Sequence, residues 1–271
     1  MSGLRLTQRA RPPARVDGSA LLPEKLQGQS LDAIRRIALP GWNETHEVGE
    51  LFTVSGEATD RVQIDQLDGS IDRLGALATS GTLILRGRAG DYAGEGLRGA
   101  SVEIEGTAGD YLGCGMRRGR IEVRGDAGHF AGSGRAGELQ GMSGGTLIVR
   151  GHVGDRAADR MRRGVLLVQG DAGDYLASRM LAGTVVLLGR AAGNAGYLMR
   201  RGTVVLDQRP AQMLPTFNPN GRQDLLAIRL LLRSLAGEGL RFSRLAAREG
   251  GFERWLGDLA ASGQGELLVS S

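Results

Sequence analysis

Residues 82–125 read TLILRGRAGDYAGEGLRGASVEIEGTAGDYLGCGMRRGRIEVRG, and one unit recurs inside them. Six apolar segments of this kind, TLILRG, VEIEG, RIEVRG, TLIVRG, VLLVQG and TVVLLG, end at Gly87, Gly106, Gly125, Gly151, Gly170 and Gly189. Their spacings are 19, 19, 26, 19 and 19 residues, so the long one is a single period with seven residues inserted near 135–141. A second glycine file runs through Gly81, Gly119, Gly145, Gly164, Gly183 and Gly202, with Ala100 in its one gap. Self-similarity at a fixed period marks a repeat architecture. Each period holds one short alternating strand and a connection such as AGDYAGEGL. A crossover helix needs about 10–15 uninterrupted residues, and each glycine within it would cost about 1 kcal/mol. Strand–helix–strand units are thereby excluded. A strand-only repeat of 19 residues fits one rung of a solenoid, with parallel rungs about 4.8 Å apart. Glycines then occupy corners where φ is positive or two backbones pass closely. The reading is a mainly β chain, a right-handed parallel β-helix of about seven rungs.

Columns through the stack give it an inside and an outside. Two residues before the rung glycine stand Leu85, Ile104, Val123, Val149, Val168 and Leu187; four before it stand Leu83, Val102, Ile121, Leu147, Leu166 and Val185. Both files are wholly aliphatic, so period-2 alternation points them inward. Leu97, Met116, Met142, Met161, Met180 and Met199 form a third file, read as a thioether ladder filling the core rather than a cofactor box. The intervening, outward file is Ile84, Glu103, Glu122, Ile148, Leu167, Val186 and Val205. Glu103 and Glu122 show that polarity is tolerated there, so the change to Ile148, Leu167, Val186 and Val205 marks a stripe that must be covered. These four are the candidate partner interface, and the chain's own terminal helix is the other cover.

The flanks depart from the period. Residues 1–76 are expected to form a mixed α/β N-terminal cap, 77–207 the glycine-rich β-helix, and 208–271 a C-terminal helical segment. Ser30 caps a short helix over LDAIRRIAL, with Leu31, Ile34 and Ile37 on one face. LFTVSG and RVQIDQL read as strands leading into the repeat. After Leu206, QRPAQMLPTFNPNG reads as loop, QDLLAIRLLLRSL from Gln223 as an apolar helix, and FERWLGDLAA as another. Open solenoid ends expose strand edges, so caps are expected at both.

Glycine supplies 45 of 271 residues, about 17% against roughly 7% in ordinary chains, yet only seven prolines accompany it and apolar runs recur. Disorder is excluded on that ground. Net charge is +4, and Lys25 is the only lysine among 34 basic residues. The arginines read as solvated faces or interface anchors. A single cysteine, Cys114, excludes an internal disulfide framework. The start, MSGLRLTQRARPPAR, carries no apolar region after its basic residues, and no span is long enough for a bilayer. A soluble cytoplasmic chain is expected, with neither nucleic acid nor membrane as partner.

Candidate chemistry is sparse. Gly94–Gly99 and Gly132–Gly137 both match GxGxxG, but inside the repeat they open no helix, so a dinucleotide site does not follow. Asp91, Asp110, Asp155 and Asp174 form a file in which His129 stands once; each Asp is expected to cap its own turn. His46, His129 and His152 fall in different contexts, which argues against a zinc site. No nucleophile, base and orienting group cluster together.

The repeated pattern of hydrophobic-RG, AGDY and M-RRG resembles the glycine-repeat domain shared by the glutamate synthase C-terminus and the C subunit of formylmethanofuran dehydrogenase. The flanks favour the second. ELFTVSGEATDRVQIDQLDGSIDRLGALATSGTL (50–83), the insertion RAGELQGMSGG (135–145) and MLPTFNPNGRQDLLAIRLLLRSL (213–235) are similar to the corresponding parts of that subunit. The resemblance spans roughly residues 45–235. It implies a non-catalytic subunit of a formyltransferase/hydrolase complex, which moves a formyl group from formyl-tetrahydromethanopterin to a methanofuran analogue and hydrolyses it to formate. The implied partners are an amidohydrolase-like subunit holding the metal, a formyltransferase subunit and one further subunit, with no cofactor assigned to this chain. The arginine-for-lysine composition favours this bacterial form. The C subunit of an archaeal tungsten or molybdenum formylmethanofuran dehydrogenase, and a stand-alone carbohydrate-active β-helix, remain as alternatives.

Overall fold

The computed structural model describes residues 3–238, 240–247 and 250–270. The N-terminal part holds β1 (Leu4–Gln8), β2 (Val16–Asp17), α1 (Pro23–Leu26), α2 (Leu31–Arg35), β3 (Ala38–Pro40), β4 (Thr45–Glu47), α3 (Val48–Leu51) and β5 (Phe52–Ser55). Next come β6 (Arg61–Asp68), β7 (Ile71–Asp72), β8 (Thr82–Ala89), β9 (Arg98–Ala108), β10 (Arg118–Val123), β11 (Ser143–Val149), β12 (Arg163–Val168), β13 (Thr184–Leu187) and β14 (Arg201–Leu206). The chain continues through β15 (Asn218–Gln223), α4 (Leu226–Ser234), α5 (Leu240–Ala247), β16 (Phe252–Gly257) and β17 (Gln264–Val269).

Thirteen strands make one sheet in the order β15-β16-β17-β14-β13-β12-β11-β10-β9-β8-β6-β1-β5. It is parallel from β1 through β17 and antiparallel only at its two ends. The aliphatic files are its register: Ile121 pairs with Leu147, Leu147 with Leu166, Leu166 with Val185, Val185 with Val204, and Val204 with Leu267. The seven-residue insertion loops out between β10 and β11 without shifting that register. A second file of parallel bridges joins Ala108, Ala127, Val153, Ala172 and Ala191, one per repeat. At the corner between the two files Gly106 cannot be replaced, because a β-carbon there would overlap the carbonyl of Gly87. The interior is continuous from Leu4 to Val269, and Leu97 with the five methionines of its file is fully buried in it.

The flanks differ from the sequence reading in several places. The Ser30-capped helix stops at Arg35, and Ala38–Pro40 turns into a strand, as Pro40 requires. FERWLG is not a helix but β16, paired antiparallel with β17. Its spacing of Phe252, Trp255 and Leu256 suits a helix, yet the open edge of β14 decides the outcome. β17 pairs with β14 in full register and β16 then pairs with β17, so backbone groups otherwise left bare at the sheet end are bonded. β15 takes in Asn218–Gly221, read as loop, and Gln223, read as the start of the apolar helix, and α5 was not foreseen. The described residues of the C-terminal segment 208–271 therefore hold three strands besides their helices. No helix among the described residues is long and apolar enough to cross a membrane.

Candidate functional site

The outward stripe comes first, because the sequence offered it as an interface. Ile148, Leu167, Val186 and Val205 lie in register on β11 to β14, Leu268 of β17 continues them, and all five are fully buried. Ile228, Leu232, Leu235, Phe242 and Leu245 pack over them from the C-terminal helices. The stripe is thus not an open docking surface: the chain covers it in cis. α4 does this because Ile228 and Leu232 sit four residues apart on one face, while Leu226 and Leu230 remain exposed on the other. A polar clamp holds the far end of the cover. Arg120 donates to both carboxylate oxygens of Glu238 at 2.9 and 2.7 Å, and Arg150 donates to the Glu238 carbonyl. Glu122 accepts from both arginines, at 2.8 Å from Arg120 and at 2.7 and 2.9 Å from Arg150. Burial pushes the Glu122 carboxyl up, but these hydrogen bonds outweigh it and hold the group below the usual carboxylate range.

The GxG connections stack along another edge of the molecule. Tyr92, Gly94 and Gly96 all have positive φ, and so do Tyr111, Gly113 and Gly115 in the next repeat. The GxGxxG match therefore encodes alternate left-handed residues in a tight turn. Two hydrogen-bond ladders run beside it. The backbone N–H of Asp91 donates to Asp72 Oδ1 at 2.8 Å, that of Asp110 to Asp91 at 2.9 Å, that of His129 to Asp110 at 2.8 Å, and that of Asp174 to Asp155 at 2.8 Å. Each aspartate thus caps the following repeat rather than its own turn. His129 stands in the file as an acceptor: its Nδ1 takes the Asp155 N–H at 2.9 Å. His152 does the same in the second ladder, accepting from Asp171 at 2.9 Å between Asp126 and Arg190. Both imidazoles act here as acceptors through Nδ1. His46 lies elsewhere, between Glu44 and Glu50. Among the described residues no group of three or more His, Cys, Asp or Glu is placed to hold a metal ion.

The insertion separates two clefts on this edge. The first, about 630 Å³, is lined by Arg73, Arg98, Arg117 and Arg135 around the buried carboxylate of Glu95. Arg73 and Arg135 pair with that carboxylate, whose Oε2 has no hydrogen-bond partner. Cys114 forms part of the floor, and burial pushes its thiol up to about 12, so at neutral pH it is not a thiolate nucleophile. The second cleft, about 640 Å³, is lined by Arg160, Arg179 and Arg200. Buried Asp159 underlies it, accepting from Ser178 at 2.5 Å and from Arg179 at 2.9 and 2.8 Å. Leu139 and Gln140 of the insertion line both clefts. Guanidinium groups stay protonated, so these clefts can neutralise and orient an anionic group. The sequence reading missed these residues. One signal was available: Arg160 and Arg179, with φ of 55° and 52°, occupy the file that holds Gly96 and Gly115 in earlier repeats.

Residues 83–220, just over half of the chain, match the GXGXG motif family. The chain belongs to this family. Its GXGXG segment runs from β8 into β15, and so includes the stripe, the ladders and the insertion but not the helical cover. Curated relatives include the C subunit of tungsten-containing formylmethanofuran dehydrogenase 2 from Methanothermobacter wolfeii, 32% identical over 101 residues, 35% of this chain and 37% of that one. The same-named protein of Methanococcus maripaludis is 37% identical over 79 residues, 28% of this chain and 29% of that one. The chain thus matches these curated relatives over only 37% and 29% of their length. A solved structure agrees over far more. A chain in the crystal structure of the formyltransferase/hydrolase complex from Methylorubrum extorquens, in complex with methylofuran, superposes with a TM-score of 0.92 at 36% identity, covering 98% of this chain and 99% of that one.

Proposed function

We propose that this chain is the non-catalytic C subunit of a formyltransferase/hydrolase complex that converts formyl-tetrahydromethanopterin to formate through a formyl-methanofuran analogue. The observation that carries the reading is the end-to-end agreement with a chain of the Methylorubrum extorquens complex, helical cover included. The archaeal dehydrogenase reading has a weaker basis, because its relatives match over 37% of their length or less. In this reading the architecture is a right-handed parallel β-helix of about seven rungs. The in-register strands and the second file of bridges, one of each per repeat, support it. Residues 1–76 and 208–271 then cap a helix spanning 77–207, and Ile148, Leu167, Val186 and Val205 seat the C-terminal cap. The partners are an amidohydrolase-like subunit that carries the metal, a formyltransferase subunit and a further subunit, in the cytoplasm. The coenzymes, a methanofuran analogue and tetrahydromethanopterin, react on the partners; this chain contributes shape and a positively charged edge.

Purification of the tagged chain from its native host tests the reading. Co-purification of formyltransferase and hydrolase activities is expected, together with no turnover of a formyl-methanofuran analogue by the chain freed of its partners. Turnover by the pure chain, or a chain that purifies without either activity, overturns it.

A further inference from the structure

Asn220 is followed by Gly221, and no other asparagine of the chain precedes a glycine: Asn43 precedes Glu44, Asn194 precedes Ala195, and Asn218 precedes Pro219. Both residues are exposed on β15, the outermost strand at the C-terminal end of the sheet. The antiparallel register with β16 breaks between Pro219 and Arg222, so Asn220 and Gly221 form a bulge on that edge. Gly221 has a φ of 66°, and a β-carbon built on it would meet nothing within 4 Å. Its backbone nitrogen is thus screened neither by a side chain of its own nor by a neighbour there, and the peptide can turn toward the Asn220 amide. The other candidates lack this combination. Ala195 is buried and carries a β-carbon, and Pro219 has no N–H to lose. The two Asp–Gly pairs are held in ordered turns. Asp68 accepts from the Ser70 N–H at 2.9 Å and its hydroxyl at 2.5 Å, and Asp17 accepts from the Ser19 N–H at 2.8 Å. Both are acids, ionised at neutral pH, and an ionised carboxylate resists nucleophilic attack where a neutral amide does not.

We propose that Asn220 is a site of spontaneous modification, converting through a succinimide to aspartate and isoaspartate, and that the isoaspartyl form is a substrate for a protein-isoaspartate methyltransferase. The backbone nitrogen of Gly221 gives up its proton to solvent and attacks Cγ of Asn220. The N–Cγ bond forms, the Cγ–Nδ2 bond breaks, and the amide nitrogen leaves as ammonia with a proton from solvent. Water then opens the ring. Addition at Cγ restores the ordinary backbone with an aspartate side chain; addition at the former backbone carbonyl routes the chain through Cγ and leaves that carbonyl as a pendant α-carboxylate. The net change is amide plus water to carboxylic acid plus ammonia, with nothing oxidised or reduced. The carbonyl that becomes pendant is the one that accepts from Gln223 Nε2 at 3.2 Å, and Gln223 Oε1 in turn accepts from Arg254 of β16 at 3.0 Å. Isoaspartate therefore lengthens the main chain within the last strand, just ahead of α4, and adds a negative charge there. The chemistry belongs to the chain itself and does not depend on the subunit reading.

The test incubates the purified full-length chain at mildly alkaline pH, then digests it and weighs the peptides at successive times. The peptide containing Asn220 should gain the mass of an amide-to-acid exchange and resolve into two products. Recombinant protein-isoaspartate methyltransferase with radiolabelled S-adenosylmethionine should label the folded chain, and the label should map to one of those two products. Peptides holding Asn43, Asn194, Asp17 and Asp68 should stay unlabelled. Asn220→Gln, an exposed change whose longer side chain closes the ring poorly, should lose the label while its circular dichroism matches the wild type. Conversion at Asn220 no faster than at Asn194 overturns the inference, because the edge bulge would then confer no reactivity. Equal labelling at Asp17 or Asp68 overturns it as well, since any residue before a glycine would then react regardless of its place in the fold. Should Asn220→Gln fail to fold, the time course of the wild-type chain decides alone.

Discussion

Leu167 holds the seam between the sheet and its helical cover, and replacing it by glutamate tests whether that seam is dry. The side chain is fully buried, in register with Ile148 and Val186, in a cluster with Ile228, Leu232 and Phe242. Leu167→Gln forfeits about 1.5–3 kcal/mol of leucine burial. Leaving the amide unpaired costs about 1–3 kcal/mol more, so the loss is about 2.5–6 kcal/mol. That approaches the whole stability of a typical domain, about 5–15 kcal/mol. Leu167→Glu has the same shape but must also keep its carboxyl neutral. Its folded pKa would rise above the unfolded value of about 4.3, and each unit of rise corresponds to about 1.4 kcal/mol. Between the two values the folded chain binds more protons than the unfolded one, so stability falls as pH rises. Chemical denaturation of both variants from about pH 4.5 to 8 should give curves that converge in acid and separate toward neutrality, the Glu variant being the weaker. Acid effects common to both chains cancel in this comparison. Limited proteolysis should meanwhile open the segment between α4 and α5. Indistinguishable Glu and Gln variants across that range would mean that water reaches Leu167, and the cover would not be packed as described.

Three further expectations are simpler. Met161 lies fully buried in the methionine file, so Met161→Asp, which leaves a carboxylate unpaired there, should abolish soluble expression. Met161→Leu should cost less than about 1.5 kcal/mol in a melt. The Glu122 carboxyl is held below its ordinary range by Arg150 and Arg120, so its stabilisation is complete above the unfolded pKa and is lost as pH falls through the folded one. Glu122→Gln should therefore flatten the acid limb of a stability–pH curve; an unchanged limb counts against the clamp. His129→Asp restores the residue type of its file and should melt like the wild type. His129→Leu removes the acceptor for the Asp155 N–H and should cost about 0.5–1.5 kcal/mol. Equal melting of the Leu variant would remove the ladder's energetic role.

How much of this was legible follows from where the period holds. Between Gly81 and Leu206, outside the insertion near 135–141, each residue has counterparts at the same place in neighbouring repeats, so burial could be read from a file instead of from one side chain. Leu166 alone is ambiguous; beside Leu147 and Val185 it points inward. Past Leu206 the files give no guidance, and local pattern misled: Phe252, Trp255 and Leu256 have helical spacing, but β17 placed an unpaired edge beside them and hydrogen-bond demand won. QGELLV was overlooked as a strand for the same reason, although Leu267 and Val269 continue the inward files of Val204 and Leu206.

The stripe and the clefts were half legible, each for a different reason. A run such as Ile148, Leu167, Val186 and Val205 reveals that something covers it but not what, because an amphipathic helix in cis and a partner in trans demand the same apolar surface. The deciding fact, that Ile228 and Leu232 reach it, depends on how the chain returns from β15, which no periodicity encodes. The clefts could have been sought in departures from the repeat. A left-handed backbone costs a non-glycine residue about 1–2 kcal/mol, and Gly96 and Gly115 avoid that cost. Arg160 and Arg179 bear it at the equivalent positions. The Arg179 guanidinium regains two hydrogen bonds to Asp159, and both side chains face the second cleft. Ala158 and Ala177 bear the same strain in the file of Gly94 and Gly113, so a left-handed residue does not by itself mark a cleft; the arginine head groups of Arg160 and Arg179 do.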